Sequence, residues 1–200
     1  PLAAGGVELK LAGGLGALTL RRQGLVLEVE ADLPAHSADE IRIRAAALSA
    51  LAHPDRADFA LVLSGMDADP VWWVRSAIAS ALGGLGDETS VGLLHAMLRD
   101  EDPRVLPAVL EALRRARGKD ALDTLQRQLD HPDLGVRVAA AEGIAELGAV
   151  GAAAPLLGAW RRGLADGPGE LEARIAAVKA LALQKDDAAK AALAEVARAD

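Results

Sequence analysis

The chain repeats itself. Ile43, Val74, Val105 and Val136 stand at steps of 31 residues, and Ala46, Ala77, Ala108 and Ala139 keep the same spacing. So do Leu51, Leu82, Leu113 and Ile144, and again Leu63, Leu94, Leu125 and Leu156. Apolar columns arise readily where 52% of the residues are apolar. A charged column therefore weighs more: Arg44, Arg75 and Arg137, interrupted by Leu106. A helical unit of this length cannot bury its apolar face alone, but stacked units share a continuous core. The expected fold class is mainly α: a right-handed α-solenoid of about five helix pairs.

Inside one unit the apolar residues recur at helical spacing. Val74, Ala77, Ile78, Ala81, Leu82 and Leu85 form a stripe at i, i+3, i+4, i+7, i+8 and i+11. Val136, Ala139, Ala140, Gly143, Ile144 and Leu147 repeat it. Asp69-Pro70 and Asp102-Pro103 place an N-cap acceptor before a proline at the first helical position. Gly86, Gly118 and Gly148 fall where helices close in the left-handed region. First helices are expected at 38–52, 70–85, 103–117, 133–147 and 170–184, and second helices at 55–65, 88–99, 119–130, 150–162 and 187–198. Short loops make the partners antiparallel. The stretch Gly163-Leu164-Ala165-Asp166-Gly167-Pro168-Gly169 lengthens the last step, so that Arg137 is followed by Arg174, 37 residues on. A mobile loop or a change of superhelical pitch is expected there. The alanine column, with one-carbon side chains, would let neighbouring helices approach closely.

Residues 7–31 have a different period. Val7, Leu9 and Leu11, then Leu18 and Leu20, then Leu25, Leu27 and Val29 alternate with other residues, and glycines stand at 13, 14, 16 and 24 where reversals are needed. This reads as a three-stranded antiparallel meander. Its apolar face must be buried against the first helices or against an upstream β-domain. The domain division is thus 1–36, a β-meander, and 37–200, the solenoid. The chain opens on Pro1, with no basic segment, apolar stretch and cleavage signature after it, and reads as a trimmed product or part of a longer polypeptide.

Composition excludes several classes. The net charge of −7 leaves no general excess of cations for phosphate, and nucleic-acid binding would need a local basic stripe. Zero cysteines remove disulfides, thiolate metal sites and thiol nucleophiles. Charges interrupt every apolar run well short of the ~18 residues of a membrane span. A soluble chain of the bacterial cytoplasm or periplasm is expected, with no membrane insertion.

The motif Asp69-Pro70, Val74-Arg75, Ala77, Ala81-Leu82-Gly83 and Leu85-Gly86 resembles the HEAT-like repeat of the phycobilin-lyase type. Asp133, Val136-Arg137, Ala139-Ala140-Ala141 and Leu147-Gly148 match it again, and the resemblance extends over 38–198. In that family the arginine commonly pairs with an aspartate of the preceding turn or repeat. The resemblance implies such pairs between Arg44, Arg75 and Arg137 and Asp39, Asp69 and Asp133. Leu106 interrupts the ladder, and Pro107 after it predicts a kink inside a helix.

No constellation for chemistry is visible, and catalytic, metal and cofactor residues are all assigned as none. His36, His53, His95 and His131 include no i, i+4 pair and no carboxylate at ligand spacing, so loop or surface roles fit them. Gly13-Gly14-Leu15-Gly16 and Gly83-Gly84-Leu85-Gly86 lead to no Gly-Lys-Ser/Thr and read as a turn and a helix end. Glu170, Glu172, Asp186 and Asp187 fit solvated helix ends. Arg114, Arg115, Arg117 and Lys119, with Arg161 and Arg162, read as solvated basic faces.

Recognition residues are easier to nominate. Trp72-Trp73 stands out where the other aromatics are Phe59 and Trp160. By repeat alignment Trp72 packs between units and Trp73 is partly exposed, and an exposed tryptophan is a partner anchor. A seam beneath the strands that takes both indoles remains the alternative. Leu93 and Met97 exceed the core columns, since Thr124 and Gln128 stand at their equivalents, and suggest a docking patch. The expected contact residues are Trp73, Leu93, Met97, Asp123, Gln126 and Arg127, on the concave face of the second helices. The function they imply is a non-enzymatic scaffold that binds another protein or another domain of the same polypeptide, without nucleic acid. The alternative is an accessory C-terminal region of a larger enzyme, resembling the tail of M1-type aminopeptidases or the arrays beside peptidyl-prolyl isomerase domains. A bilin lyase or a HEAT-like DNA glycosylase is a third reading: the glycosylase needs a cationic groove, which the net charge of −7 opposes, and the lyase needs a tetrapyrrole pocket, for which Trp72-Trp73 is thin support.

Overall fold

The computed structural model describes residues 7–10, 17–23, 26–31, 68–148 and 151–199. In the first three stretches the backbone forms strands β1 (Val7–Lys10), β2 (Ala17–Gln23) and β3 (Val26–Ala31), antiparallel in the order β1-β2-β3. Leu9 stands opposite Leu18, and Leu20 opposite Val29. The expected first helical pair, with Arg44, His53 and Phe59, lies outside the described residues, as do Asp39 and His36.

From residue 68 the chain makes four helical hairpins. The first is α1 (Trp72–Leu85) with α2 (Glu88–Met97), and the second α3 (Leu106–Arg117) with α4 (Leu122–Gln128). The third is α5 (Leu134–Leu147) with α6 (Ala153–Asp166), and the fourth α7 (Leu171–Leu183) with α8 (Asp187–Val196). The first helices stack on one another, α1 on α3, α3 on α5 and α5 on α7. The second helices form another layer: α2 lies against α1 and α3, α4 against α3 and α5, α6 against α7, and α8 against α6 and α7.

The repeated columns form the core of this stack. Val74, Val105 and Val136 are buried, as are Leu82, Leu113 and Ile144, and Leu94, Leu125 and Leu156. Burying one such side chain is worth about 1.5–3 kcal/mol, and neighbouring hairpins share each layer. The alanine column behaves differently. Ala77, Ala108 and Ala139 are only half-buried, and Ala108 and Ala139 pack against the edge of the core. A Cβ on Gly83 would stand 2.6 Å from both Cα and Cβ of Ala112, so α1 and α3 meet through a glycine.

Helix ends follow local chemistry, with three departures from the expected boundaries. Asp87, Asp133 and Asp186 cap α2, α5 and α8 through backbone N–H groups three residues on. Gly86 and Gly148 close α1 and α5 in the left-handed region. The aspartates before proline, however, do not start α-helices directly. Asp69 accepts from the Val71 N–H and α1 begins at Trp72, while Asp102 opens a 3-10 turn over Pro103–Val105 before α3.

The second departure concerns Pro107, which falls in the first turn of α3 and not in a helix interior. Its missing N–H has no intrahelical acceptor to lose there, so the expected kink has no cause. The third departure concerns 163–169. Gly163 through Asp166 continue α6, and only Gly167 and a 3-10 turn over Pro168–Glu170 connect it to α7. Gly163 is a packing residue: a Cβ there would stand 2.7 Å from Cγ of Arg174.

Candidate functional site

The seams between hairpins carry most of the charge chemistry of the described residues. In the first seam, Arg75 Nε and Nη2 donate to the two carboxylate oxygens of Asp100 at 2.7 and 2.9 Å, and Nη1 donates to the Asp69 carbonyl at 2.6 Å. This bidentate fork is largely buried and joins α1 to the entry of the next hairpin. Its hydrogen bonds to Asp100 raise the Arg75 pKa further above its ordinary value. In the third seam Arg137 Nη1 donates to the carbonyls of His131 and Pro132, each at 2.7 Å, and Nη2 pairs with Glu170 at the entry to α7. The middle seam has no such rung. Leu106 is buried in place of the arginine, and His131 stands 31 residues after Asp100.

The ladder therefore differs from the expected one in its partners. Asp133 turns its carboxylate to the Val136 N–H at 3.1 Å and Asp69 to the Val71 N–H at 2.8 Å. A carboxylate that caps local backbone donors is oriented along its own helix axis. The arginine one turn further on is left to reach the carboxylate that opens the following hairpin. The proposed Arg44–Asp39 pair lies outside the described residues.

The basic clusters lie on exposed faces, and several of their arginines also reach across from one hairpin to the next. Arg115 donates to the Ser80 carbonyl at 2.7 Å, Arg117 pairs with Glu88, and Arg114 pairs with both Glu111 and Glu146. Arg161 holds Glu195 through two hydrogen bonds of 2.7 and 2.6 Å, and Arg162 pairs with Asp130. Repeat alignment misses these contacts because they join non-equivalent positions.

Beside Arg137 the lengthened step opens a cleft of about 340 Å³. Asp130, His131, Arg137, Arg162, Asp166 and Glu170 line it over small residues of α5, α6 and α7. Arg137 already holds Glu170 and Arg162 holds Asp130, and Asp166 adds a further, exposed carboxylate to the lining. Among the described residues no group of three or more His, Asp or Glu could hold a metal ion.

The residues expected to contact a partner are divided between the two helix layers. Trp73 is 54% exposed on α1. Leu93 and Met97 on α2 are half-buried against the core, which leaves less of them outward than a docking patch would present. On α4, Asp123 and Arg127 are exposed. Gln126 is half-buried and donates to the Gly151 carbonyl at 3.3 Å. Thr124, expected as the polar counterpart of Leu93, is itself buried. Trp72 sits in the seam, its ring centroid 4.6 Å from the Arg104 guanidinium and 5.5 Å from the Trp73 ring, at an interplanar angle of 54°. Arg104 in turn grips Asp102 and holds that carboxyl at about 2, well below the usual range.

The family model for HEAT repeats matches three overlapping segments, residues 33–106, 59–130 and 91–168. The chain belongs to the HEAT-repeat family. Its stacked hairpins are HEAT units, and the Arg75–Asp100 and Arg137–Glu170 rungs bind successive units together. A comparison with proteins of curated function finds no match. No helix of the described residues is long and apolar enough to cross a membrane.

Proposed function

We propose that this HEAT-repeat chain is a non-enzymatic scaffold that binds another protein, or another domain of its own polypeptide. HEAT repeats commonly serve as interaction scaffolds, and stacked hairpins offer an extended rigid surface. The observation that carries the reading is the exposure of Trp73, 54% on a helix otherwise built into the stack. Trp72, pinned by Arg104, supports the Trp73 ring from behind. A large apolar ring already held in place loses little entropy on docking, which is the profile of an interface anchor.

In its finer form, the proposal is a right-handed solenoid of five hairpins that follows the N-terminal meander and offers a concave second-helix face, with the Trp73 anchor on the first-helix layer. Asp123, Gln126 and Arg127 form the polar rim, with the outward edges of Leu93 and Met97. Capture from the source organism with the intact chain and with Trp73→Ala tests the anchor. The expected outcome is at least a tenfold loss of the captured partner at unchanged helicity, in keeping with the ~2 kcal/mol of an aromatic hot spot. A second variant, Trp73→Ala with Met97→Ala, is expected to abolish capture. Unchanged retention by both would remove these residues from the reading.

A further inference from the structure

The face of each first helix that points along the stack can be identified from contacts. Gly83 of α1 meets Ala112 of α3, and Arg114 of α3, at the equivalent position one repeat on, pairs with Glu146 of α5. Ala79, Leu110 and Ala141, also equivalent to one another, are buried. Continuing the same positions into α7 gives Leu171, Ile175, Val178 and Ala182, by the 37-residue step from Leu134, Val138, Ala141 and Ala145. No further first helix stacks on α7 among the described residues. Leu171 is 50% exposed and Ile175 43%, Val178 is half-buried and Ala182 exposed.

The outer face of α7 is apolar. Leu171, Ile175, Val178 and Ala182 lie within about 60° of arc at 100° per residue, without a polar residue among them. Along one edge of the stripe stand Glu172 and Lys179, both exposed and two turns apart. When two such helices pair antiparallel about a two-fold axis, like edges meet in opposite directions. Each Glu172 then approaches the Lys179 of the other helix, whereas parallel pairing brings different edges together. The flanking charges are thus self-complementary in one arrangement.

We infer that the outer face of α7 is a self-association surface, which takes the α7 of a second copy of this chain in an antiparallel, two-fold arrangement. The stack of first helices thereby continues across the dyad, with an apolar seam edged by two Glu172–Lys179 pairs. A stripe one helix wide buries less than the ~1,200 Å² of stable complexes, so the dimer is weak and dependent on concentration.

Sedimentation of the 200-residue chain across the micromolar range tests the inference. The expected result is a monomer–dimer equilibrium that Ile175→Glu weakens at least tenfold with the circular dichroism unchanged. Charge reversal provides a second arm that does not touch the core: Glu172→Lys should weaken the dimer, and Glu172→Lys with Lys179→Glu should restore it. A monomer at every concentration would overturn the proposal. So would a dimer indifferent to both arms, which would assign association to another face.

Discussion

The first and third seams of the stack use the same arginine column to different ends. At the first, Gly83 lets the end of α1 approach the backbone of α3, and the Arg75–Asp100 fork ties the start of α1 to the entry of the next hairpin. At the third, the longer step inserts residues between the rung's partners. Arg137 reaches Glu170, 33 residues on, where Arg75 needed 25 to reach Asp100, and a cleft of about 340 Å³ opens alongside. The glycine of this region, Gly163, meets the flexible stem of Arg174 where Gly83 meets backbone. A HEAT stack thus tolerates an insertion when one rung stretches and side chains, not main chain, fill the gap.

The most direct way to break this comparison is at Gly83. A Gly83→Val chain must push α3 away from α1, because the atoms it meets are the Cα and carbonyl oxygen of Ala112 as well as its methyl. The expected cost is about 2–3 kcal/mol, read as a lowered urea midpoint. Next come the arginines. Arg75→Met leaves Asp100 unpaired in a nearly closed seam and should cost about 2 kcal/mol. Arg137→Met leaves Glu170 at the lip of the cleft, within reach of water, and should cost about half as much. Equal losses would mean that the cleft makes no difference to the rung.

The second helices sharpen the contrast. Asp87 caps α2, whereas α6 has Ala152 at its N-cap and no side-chain cap. The Ser90 N–H and hydroxyl hold the Asp87 carboxyl below its usual pKa. A depressed pKa means that the folded chain favours the ionised form. The cap's contribution is therefore complete above the ordinary carboxylate value of ~3.9 and is lost as pH falls through the folded value. Asp87→Ala should cost about 1 kcal/mol at pH 7. The gap between it and the parent should close in unfolding series run down through the acid range.

Much of the stack was legible in the residues. Columns such as Val74, Val105 and Val136 mark buried layers because every unit needs the same interior. What joins one unit to the next was not legible, since a contact across a seam links positions that the alignment keeps apart: Gly83 to Ala112, Arg117 to Glu88, Arg161 to Glu195. The exposure of Arg115, Arg161 and Arg162 follows their polarity, whereas the carboxylate each reaches does not follow from the repeat. For recognition, Trp73 was identifiable as an aromatic at a position filled by Arg104 and Gly135 in later units. The apolar face of α7 was hidden, because its stripe overlaps the ordinary core stripe and only burial separates them. Gln184 shows the same limit. It stands 37 residues after Leu147 and is buried with neither amide atom partnered. Gln184→Leu should raise stability by about 1 kcal/mol by removing those unmet groups.

The smallest expected effect is the most discriminating. Gly163→Ala adds a methyl 2.7 Å from Cγ and 3.3 Å from Cδ of Arg174 and 3.3 Å from Cβ of Glu170, a closest contact within 0.1 Å of the 2.6 Å that Gly83 would face. Distance alone would predict equal damage at the two seams. The neighbour, however, is a side chain with rotatable torsions, and its Nε has no hydrogen bond to lose. Rotation of Arg174 costs its stacking over Trp160, where the guanidinium lies 5.9 Å from the ring centroid. At that separation the stacking is worth about 0.5 kcal/mol. Against this, alanine gains up to about 1 kcal/mol over glycine inside α6. The sum should fall within about 0.5 kcal/mol of zero in urea unfolding, while Gly83→Ala, with the same added methyl, loses at least 1 kcal/mol. A Gly163→Ala chain as damaged as Gly83→Ala would show that the third seam is as unyielding as the first, whatever space lies beside it.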